Sequence, residues 1–476
     1  PENREVHRAG PMTLRGRDWL RAFALKTNPY WPFRFCNRVP YALALRAVKL
    51  AWGRRSEIQG IHVRNSLAGR QWIPGTSDID LGVTVQNGLP ARREFELTEF
   101  LWHTYDRLSA VFPMLGEVVI LEEAEFPLWR AYSRTTPEVP PVVPLYGKTV
   151  PVYAVYEGGR WRARALNAAL WTYLNLVLPY LAGADSYLGW HDLRRRVRRV
   201  LRYLEPAQPE GMPSVGDLTE PCHLVAAALT ALERAAAAIS PAACPTTSSE
   251  DGGIRGVILD GKGCLWAVLE NGLGSGRIAR LLAEHARPRP GTGAGPVLLP
   301  HRLFAYMVRH YRPFAYSELQ RSRTILRGED PIPRIEPPGR SELAAYTLDL
   351  ISYLLTITRG EELFSQRHAF PLQVLKRAVC NGLAVRLLLQ EQWVAAGSLE
   401  LAARCESKFP ECFQTLAAIE GLLALGRERE ARRAAFHLFR PIAGEIRDLA
   451  APRLGESGAG GRERTSLPDA IAWPAG

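Results

Sequence analysis

Two carboxylates one residue apart, Asp78 and Asp80, stand at the start of a segment in which apolar and polar residues alternate. Because the side chains of a strand point alternately to its two faces, we expect both carboxylates on one face and Ile79 and Leu81 on the other. A polar turn connects this predicted strand, residues 78–85, to an earlier apolar stretch. Two aligned carboxylates beside a polar turn are suited to a triphosphate that is bound with magnesium.

The elements around the two carboxylates predict a small α/β unit. An alanine- and leucine-rich helix is expected at 41–52, followed by a strand at 58–64, and a further strand is expected at 117–122. Between the second and third strands, apolar residues recur at the spacing of one helix face; they are Leu97, Leu101, Tyr105 and Leu108. This order of elements is typical of a small mixed sheet covered by helices.

The length of 476 residues indicates two or three domains. We predict an N-terminal extension at 1–37, the α/β core at 38–135, a helical extension that closes the cleft at 136–240, a mainly helical C-terminal domain at 254–450 and a flexible tail at 451–476. A short strand is expected at 150–156. The pattern leaves open whether 256–259 and 265–269 form a hairpin or two short helices. No repeat at a fixed period is detected.

Composition and charge narrow the class of protein. With 47% hydrophobic and 23% charged residues, the chain is typical of a globular protein and unlike a disordered one. No uninterrupted apolar run reaches the roughly 18 to 20 residues of a membrane span, so we expect a soluble protein with no membrane partner. Seven cysteines without metal-ligand spacing favour reduced thiols and a cytoplasmic location. The net charge of +12 favours anionic partners such as nucleotides or RNA.

The residues Asn65-Ser66, followed by Ser77-Asp78-Ile79-Asp80-Leu81, resemble the signature of the nucleotidyltransferase superfamily, which includes polymerase-beta-like enzymes and antibiotic nucleotidyltransferases. In that family a Gly-Ser turn precedes an Asp-x-Asp strand, and a third acidic residue follows on a later strand. The resemblance covers residues 40–125. Asn65 stands where the family usually has glycine, and asparagine tolerates a left-handed backbone better than other non-glycine residues.

The resemblance implies a magnesium site, with two ions as the expected arrangement. Asp78 and Asp80 would hold magnesium, and Glu117 would complete the site or take the proton of the acceptor. Glu122 and Glu123 are alternatives for the third carboxylate. Because 117 and 122 differ by an odd number, a regular strand would turn Glu117 and Glu122 to opposite faces, so that one of the two can meet the aspartates.

The resemblance also implies where the nucleotide binds. Ser66 and the main-chain N–H groups of its turn would hold the terminal phosphates of a nucleoside triphosphate. Asn65 belongs to the same turn, and Gly75 and Ser77 belong to the segment that leads to the aspartates. We therefore expect all four residues to line the nucleotide site.

The implied activity is transfer of a nucleoside monophosphate from a nucleoside triphosphate to a hydroxyl group of a small-molecule or protein acceptor, with release of pyrophosphate. One alternative is template-free addition of nucleotides to an RNA end, for which the arginines between 194 and 202 are the supporting feature. Because apolar residues at helical spacing separate these arginines, a solvated helix face is the more usual explanation for them. Another alternative is a catalytically inactive nucleotide-binding or scaffold protein. The base, the acceptor and the oligomeric state are left open.

Overall fold

Two four-stranded mixed sheets organise the protein, and each sheet has a separate hydrophobic core. A computed structural model describes residues 11–69, 72–132, 142–148, 159–181, 183–205, 218–239, 253–286, 296–365 and 370–456. Mixed sheets accompanied by many helices agree with the predicted fold class at this coarse level. The strand predicted at 150–156 lies outside the described residues.

The first sheet contains the predicted carboxylate strand. Its elements are α1 (Pro11–Thr27), α2 (Trp31–Trp52), β1 (Ile58–Arg64), α3 (Asn65–Ala68), β2 (Ile79–Val85), α4 (Ala91–Val111), β3 (Leu115–Glu122), α5 (Phe126–Ala131) and β4 (Val142–Gly147). The strand order is β3-β2-β1-β4, with β2 and β3 parallel and the other neighbours antiparallel. All three predicted strands are therefore present. The predicted helix at 41–52 begins ten residues earlier, within the expected N-terminal extension.

The second sheet lies in the region expected to be mainly helical. Its elements are α6 (Gly159–Thr172), α7 (Leu178–Leu181), α8 (Tyr187–Leu204), α9 (Pro221–Ile239), β5 (Ile254–Leu259), β6 (Leu265–Leu269), α10 (Ser275–Leu281), β7 (Val297–Pro300), α11 (His301–Tyr306), α12 (Phe314–Ser322) and β8 (Thr324–Gly328). β5 and β6 are antiparallel and follow each other directly. Of the two possibilities left open by the sequence, the structure has the hairpin.

The two sheets have the same topology. The second sheet has the order β7-β6-β5-β8, which repeats β3-β2-β1-β4 strand for strand. In both sheets the first two strands along the chain are antiparallel. In both, the third strand follows a helix and runs parallel to the second, and the fourth pairs antiparallel with the first. The agreement extends to every strand pair.

Glycines at matching positions extend the similarity of the two sheets. Gly60 pairs with Gly147 in the first sheet, and Gly256 pairs with Gly328 in the second. Gly147 and Gly328 both have positive φ, 72° and 70°. A Cβ atom on either would lie 2.0 or 2.3 Å from a main-chain oxygen of the neighbouring strand. Both positions therefore need glycine for the same two reasons.

A matched turn follows the second strand of each sheet. Asn87 and Asn271 each precede a glycine of positive φ. The Oδ1 atom of Asn87 accepts a hydrogen bond from the N–H of Ala124, at 3.2 Å. The Oδ1 atom of Asn271 accepts one from the N–H of Arg302, at 2.7 Å. Each asparagine thus connects its turn to the start of the helix that follows the third strand.

We conclude that the chain contains the same α/β unit twice. The sequence shows no repeat at a fixed period, and the spacing of the matched residues explains why. The offset between matched residues is 196 at the first strand, where Gly256 matches Gly60, and 181 at the last, where Gly328 matches Gly147. Insertions of different length change the offset, so the repeat has no fixed period.

The remaining helices complete the core of the first sheet. They are α13 (Arg340–Ile357), α14 (Glu361–Phe364), α15 (Leu372–Glu391), α16 (Ser398–Lys408), α17 (Pro410–Ala424) and α18 (Glu428–Glu456). Side chains of these helices share one core with β1, β2 and α4. Apart from Phe314, which belongs to that first core, the core residues between 166 and 335 form the other one. The predicted domain 254–450 is therefore divided between the two cores near residue 340. The sequence does not show this division, because the periodicity of apolar residues identifies helices but not the elements against which they pack.

One described helix, α9, is long and apolar enough to cross a membrane by length and composition. Within its most apolar window, 67% of the helix is buried in the protein. Leu224, Leu229 and Leu232 are fully buried in the core of the second sheet. This is the position of a core helix in a globular fold.

Candidate functional site

Asp78 and Asp80 meet at the start of β3. Asp80 is the second residue of β2, and Asp78 immediately precedes that strand. A Cβ atom placed on Gly116 would lie 2.7 Å from Oδ1 of Asp80 and 2.8 Å from Cβ of Asp78. Both aspartates therefore border the same small space, which exists because residue 116 has no side chain.

Two hydrogen bonds orient the carboxylate of Asp80. The Nδ2 atom of Asn65 donates to Oδ2 at 2.7 Å, and the N–H of Glu117 donates to Oδ1 at 3.2 Å. Asn65 has a φ of 58°, which is the left-handed conformation that the sequence indicated for this turn. Its side chain also supplies a contact that glycine at this position could not make.

The loop before Asp78 is held by the first two helices. The hydroxyl of Tyr41 on α2 donates to the carbonyl oxygen of Ser77 at 2.8 Å, and the Nε atom of Arg21 on α1 donates to the carbonyl oxygen of Gly75 at 2.8 Å. Burial raises the pKa of Tyr41. The hydroxyl of Ser77 accepts from the N–H of Ile73 at 2.9 Å and is buried.

The four expected nucleotide-site residues therefore differ in their surroundings. Ser77 is used within the loop, and Gly75 has a φ of 88° with a Cβ position 2.8 Å from the carbonyl oxygen of Arg21. Both residues shape the loop. Asn65 contacts Asp80 directly, and Ser66 lies next to it in α3, half-buried. Of the four residues, those of the turn, Asn65 and Ser66, thus lie at the aspartate pair, whereas Gly75 and Ser77 shape the loop.

The carboxylate of Glu117 is not grouped with the two aspartates. It is 64% exposed and lies 3.9 Å from Nη2 of Arg64, whose guanidinium stacks on Trp129 at 4.9 Å. Among the residues that the structure describes, no group of three or more His, Cys, Asp or Glu side chains is arranged to hold a metal ion. The main chain of Glu117, and not its side chain, contacts Asp80.

Glu122 lies at the other end of β3, opposite Val85. It is buried and forms ion pairs with Arg359 at 3.2 Å and with Arg447 at 2.7 Å. Glu123 lies 3.8 Å from Lys148. Distance along the strand therefore removes Glu122 as a neighbour of the aspartates, independently of the face to which it points.

Arginines of α8 lie against the loop that leads to Asp78, which the sequence did not indicate. Arg195 donates to the carbonyl oxygen of Thr76, and the guanidinium of Arg196 stacks on Tyr180 at 3.9 Å. Burial lowers the pKa of Arg196, and the negative charge of Asp78 acts in the opposite direction. Both arginines are half-buried, so they are not part of a solvated face.

The second α/β unit has no aspartate pair at the matching positions. Counted back from the Asn-Gly turns, Lys262 matches Asp78 and Cys264 matches Asp80. Burial raises the pKa of the Cys264 thiol to about 11. A short turn replaces the long loop, and Asp260 closes it by accepting hydrogen bonds from the N–H groups of Lys262 and Cys264 at 2.9 and 2.8 Å.

No family model, curated protein or solved structure matches the chain. Support for a function therefore comes from the first α/β unit itself. That unit combines two adjacent carboxylates, a left-handed Asn-Ser turn in contact with one of them, and cationic side chains behind the intervening loop.

Proposed function

We propose that the protein is a magnesium-dependent nucleotidyltransferase that moves a nucleoside monophosphate from a nucleoside triphosphate to a hydroxyl group of a small-molecule or protein acceptor. The observation that carries this proposal is the placement of Asp78 and Asp80 around Gly116, with the Asn65 side chain bonded to Asp80. Together with the resemblance of the Asn-Ser and Asp-Ile-Asp segments to the nucleotidyltransferase signature, it favours this chemistry over other uses of two aspartates.

The aspartate pair fits one magnesium ion. Magnesium is usually bound by one or two protein carboxylates together with water and substrate phosphates, so Asp78 and Asp80 are sufficient protein ligands. Bound there with the triphosphate, the ion would offset the charge that develops on the leaving pyrophosphate. A second ion would need another carboxylate, and Glu117, whose main chain contacts Asp80, is the candidate.

Cationic side chains near the loop suit a triphosphate. Arg195 projects from α8 to the carbonyl oxygen of Thr76, and the charge of Asp78 acts on Arg196. Guanidinium groups bind phosphate oxygens through charge-assisted hydrogen bonds. In this proposal the aspartates hold the magnesium ion that is bound to the triphosphate, and the turn at Ser66 holds phosphate oxygens. The two arginines balance the remaining negative charge of the triphosphate.

A second candidate is an inactive nucleotide-binding protein of the same fold. The pairing of Glu117 with Arg64 favours it, because a carboxylate held by a buried cation is less available to a second ion. Template-free addition to RNA has weaker support, since Arg195 and Arg196 contact the protein itself and leave Arg198 and Arg202 as the exposed arginines of α8.

The test is incubation with each α-labelled nucleoside triphosphate, magnesium and hydroxyl acceptors of three kinds: small molecules, proteins and RNA. Loss of a residue that hydrogen-bonds to a metal ligand reduces activity roughly 10- to 100-fold. Asp78→Asn and Asp80→Asn remove the metal ligands themselves, so each should reduce transfer by more than that. Asp448→Asn is the matched control, since Asp448 is 69% exposed and lies in α18. Transfer that is unchanged in both site variants contradicts the proposal.

The same experiment separates the alternatives. Label on RNA alone would support end addition. If no acceptor is labelled but magnesium and nucleotide still bind, and Asp80→Asn weakens that binding, the inactive nucleotide-binding protein is supported. Binding can be measured by equilibrium dialysis with the labelled nucleotide.

A further inference from the structure

Exposed apolar side chains are concentrated in α1 and α2. Among the residues that the structure describes, ten of the eighteen exposed large hydrophobic side chains lie between 19 and 50. These ten are Trp19, Leu20, Phe23, Tyr30, Trp31, Phe33, Phe35, Val39, Leu43 and Leu50. Single exposed apolar residues are normal on a protein surface, but a contiguous group indicates an interaction site.

The helix α2 is apolar on both of its faces. Tyr41, Ala44, Val48 and Trp52 are buried against the core of the first sheet. On the opposite side, four apolar residues recur at intervals of four: Trp31, Phe35, Val39 and Leu43, which are 82%, 70%, 39% and 52% exposed. The outer face of a surface helix is normally polar, so this stripe needs an apolar surrounding.

Helix α1 extends the apolar stripe sideways. Trp19 and Phe23 stack with their ring centroids 5.6 Å apart, and Phe23 contacts Phe33 of α2 edge to face at 6.2 Å. Trp19, Phe23 and Phe33 therefore form one cluster that connects α1 to α2, and together with the stripe of α2 they make up the apolar patch. We call α1 and α2 together the N-terminal hairpin.

The charge around this patch is strongly positive. Between residues 18 and 55 there are eight lysines and arginines and one acidic residue, Asp18. Seven of the eight cations are exposed: Lys26, Arg34, Arg38, Arg46, Lys49, Arg54 and Arg55. Arg46 and Lys49 lie on the outer side of α2, beside Leu43 and Leu50. An apolar and aromatic stripe flanked by cations matches the charge and polarity of an anionic bilayer surface.

We propose that the N-terminal hairpin docks the protein on an anionic lipid membrane. The helix α2 lies flat on the bilayer, with Trp31 and Phe35 in the interfacial layer and Arg46 and Lys49 against lipid phosphates. The stripe from Trp31 to Leu50 spans about 28 Å at 1.5 Å per residue, long enough for a surface-bound helix. Because the other face of α2 is part of the protein core, the protein lies on the membrane and does not cross it.

The aliphatic side chains of the patch favour lipid over nucleic acid. Leu20, Val39, Leu43 and Leu50 are aliphatic, and single-stranded nucleic acids are bound by stacking of bases on aromatic rings. Aliphatic side chains insert between acyl chains equally well as aromatic ones. This proposal differs from the expectation that the protein has no membrane partner. That expectation was drawn from the absence of a long apolar run, a criterion that detects spanning helices alone.

The test uses the full chain and vesicle cosedimentation. Vesicles of phosphatidylcholine are compared with vesicles of equal parts phosphatidylcholine and phosphatidylglycerol, at low and high salt. The expected result is salt-sensitive binding to the anionic vesicles and much weaker binding to the neutral ones. Trp31→Ser/Phe35→Ser should reduce binding to anionic vesicles about tenfold or more, because two large apolar side chains no longer leave water.

Two further variants separate charge from apolar contact. Arg46→Glu/Lys49→Glu should weaken binding to anionic vesicles and flatten its salt dependence, with no effect on neutral vesicles. Leu425→Ser is the control, since Leu425 is 72% exposed but lies at the end of α17, and it should bind as the unchanged protein does. None of these variants alters Arg21 or Tyr41, which hold the loop at Gly75 and Ser77.

Several outcomes would overturn the proposal. They are absence of binding to both kinds of vesicle, binding that Trp31→Ser/Phe35→Ser leaves unchanged, and a concentration-dependent dimer in solution that the same double variant dissolves. The last result would assign the patch to a second copy of the chain. Vesicle binding does not depend on nucleotide transfer, so this test succeeds or fails independently of the proposed activity.

Discussion

At the level of single residues, Asn65 has two separate tasks. Its backbone adopts a left-handed conformation with φ of 58°, and its side chain donates to Asp80 at 2.7 Å. Glycine would satisfy the first task and fail the second. Alanine would fail both, since it lacks the short polar side chain that helps asparagine adopt the left-handed conformation, which costs other non-glycine residues roughly 1–2 kcal/mol.

Two substitutions at this position measure the backbone contribution by itself. Asn65→Gly and Asn65→Ala both remove the hydrogen bond to Asp80, so they differ in backbone freedom. We expect Asn65→Ala to be the less stable by about 1 kcal/mol in urea unfolding followed by circular dichroism. Equal stability of the two variants would mean that the turn does not keep its left-handed conformation in solution.

Gly116 maintains the space that the aspartates share. Gly116→Ala would place a Cβ atom 2.7 Å from Oδ1 of Asp80 and 2.8 Å from Cβ of Asp78, closer than ordinary van der Waals contact. We expect the carboxylates to move apart, so that magnesium-dependent nucleotide binding and transfer fall about tenfold or more while the protein stays folded. The thermal shift produced by nucleotide with magnesium measures the binding.

The matched control for Gly116→Ala is Gly421→Ala. Gly421 lies inside α17, and no atom is within 4 Å of its Cβ position. Alanine there should leave nucleotide binding unchanged and raise the unfolding free energy by up to about 1 kcal/mol. If Gly116→Ala behaves like this control, the space beside Gly116 is not the nucleotide or metal site.

At the level of elements, the two α/β units show what the first one adds to a common framework. His62 on β1 is fully buried, and its Nε2 atom lies 3.1 Å from the hydroxyl of Thr84 on β2. The matching residues of the second unit are Ile258 and Val268, which are apolar. Burial lowers the pKa of His62 to about 4. A polar, proton-sensitive pair thus replaces an apolar contact in the unit that contains the aspartates.

This replacement predicts acid sensitivity of the fold. In the unfolded chain the histidine pKa is near 6.5, so below that pH the unfolded state binds a proton that folded His62 does not bind until about pH 4. The stabilisation is therefore present above pH 6.5 and lost as pH falls to 4, with an upper limit of about 3 kcal/mol. His301, also buried with its pKa lowered to about 4, adds a slope in the same direction.

The second unit supplies the test variant. His62→Ile/Thr84→Val introduces the pair found at Ile258 and Val268, and it should flatten the decrease in unfolding free energy between pH 6.5 and 4. His103→Gln, on the exposed side of α4, should keep the slope of the unchanged protein. Urea unfolding at several pH values measures both. An unchanged slope in the double variant would assign the acid sensitivity to other groups.

Local elements could be predicted from the sequence because their signals are local. The alternation around Ile61 and Leu81 and the helical spacing of Leu97 and Leu101 gave strands and a helix that are present. The sequence also predicts that the Asp78 and Asp80 pair and the turn at Asn65 act together, because they lie within sixteen residues of each other.

Features that depend on distant packing could not be predicted. The spacing of apolar residues in α8 separates an apolar from a polar face, but it does not show that Arg195 meets the carbonyl oxygen of Thr76, 119 residues earlier. In the same way, the sequence leaves Glu122 as a candidate for the metal site, because nothing local shows that its buried partner is Arg359, 237 residues away. The duplicated unit was hidden because its matched residues are separated by unequal insertions.

At the level of the whole molecule, a buried ion-pair cluster joins the C-terminal helices to the first sheet. Arg359, which follows α13, lies 2.7 Å from Glu94 on α4, 3.2 Å from Glu122 on β3 and 2.7 Å from Glu125 before α5. The carbonyl oxygen of Arg359 also accepts a hydrogen bond from Nε1 of Trp102 at 2.8 Å. All three glutamates and Arg359 are less than 4% exposed overall. The cluster therefore fixes where the last third of the chain packs.

Removing the cation of this cluster should strongly destabilise the protein. Arg359→Met removes the shared partner of the three buried carboxylates. Glu94 keeps an ion pair with Arg440 and Glu122 keeps one with Arg447, so Glu125 is the carboxylate that loses its cation. Breaking a buried pair in this way costs about 3–5 kcal/mol. Burial raises the pKa of Glu125 even with Arg359 present, so the protonated form is favoured in the fold once the cation is gone. A raised folded-state pKa gives stability that is present at low pH and lost as pH rises. The deficit of Arg359→Met relative to the unchanged protein should therefore shrink as pH falls from 7 towards 5.

Arg427→Met is the control, because Arg427 pairs with Glu430 on the surface and both side chains are about half exposed. It should show no such deficit. A deficit of Arg359→Met that does not change with pH would mean that lost packing of the arginine side chain, and not the buried carboxylate of Glu125, accounts for the destabilisation.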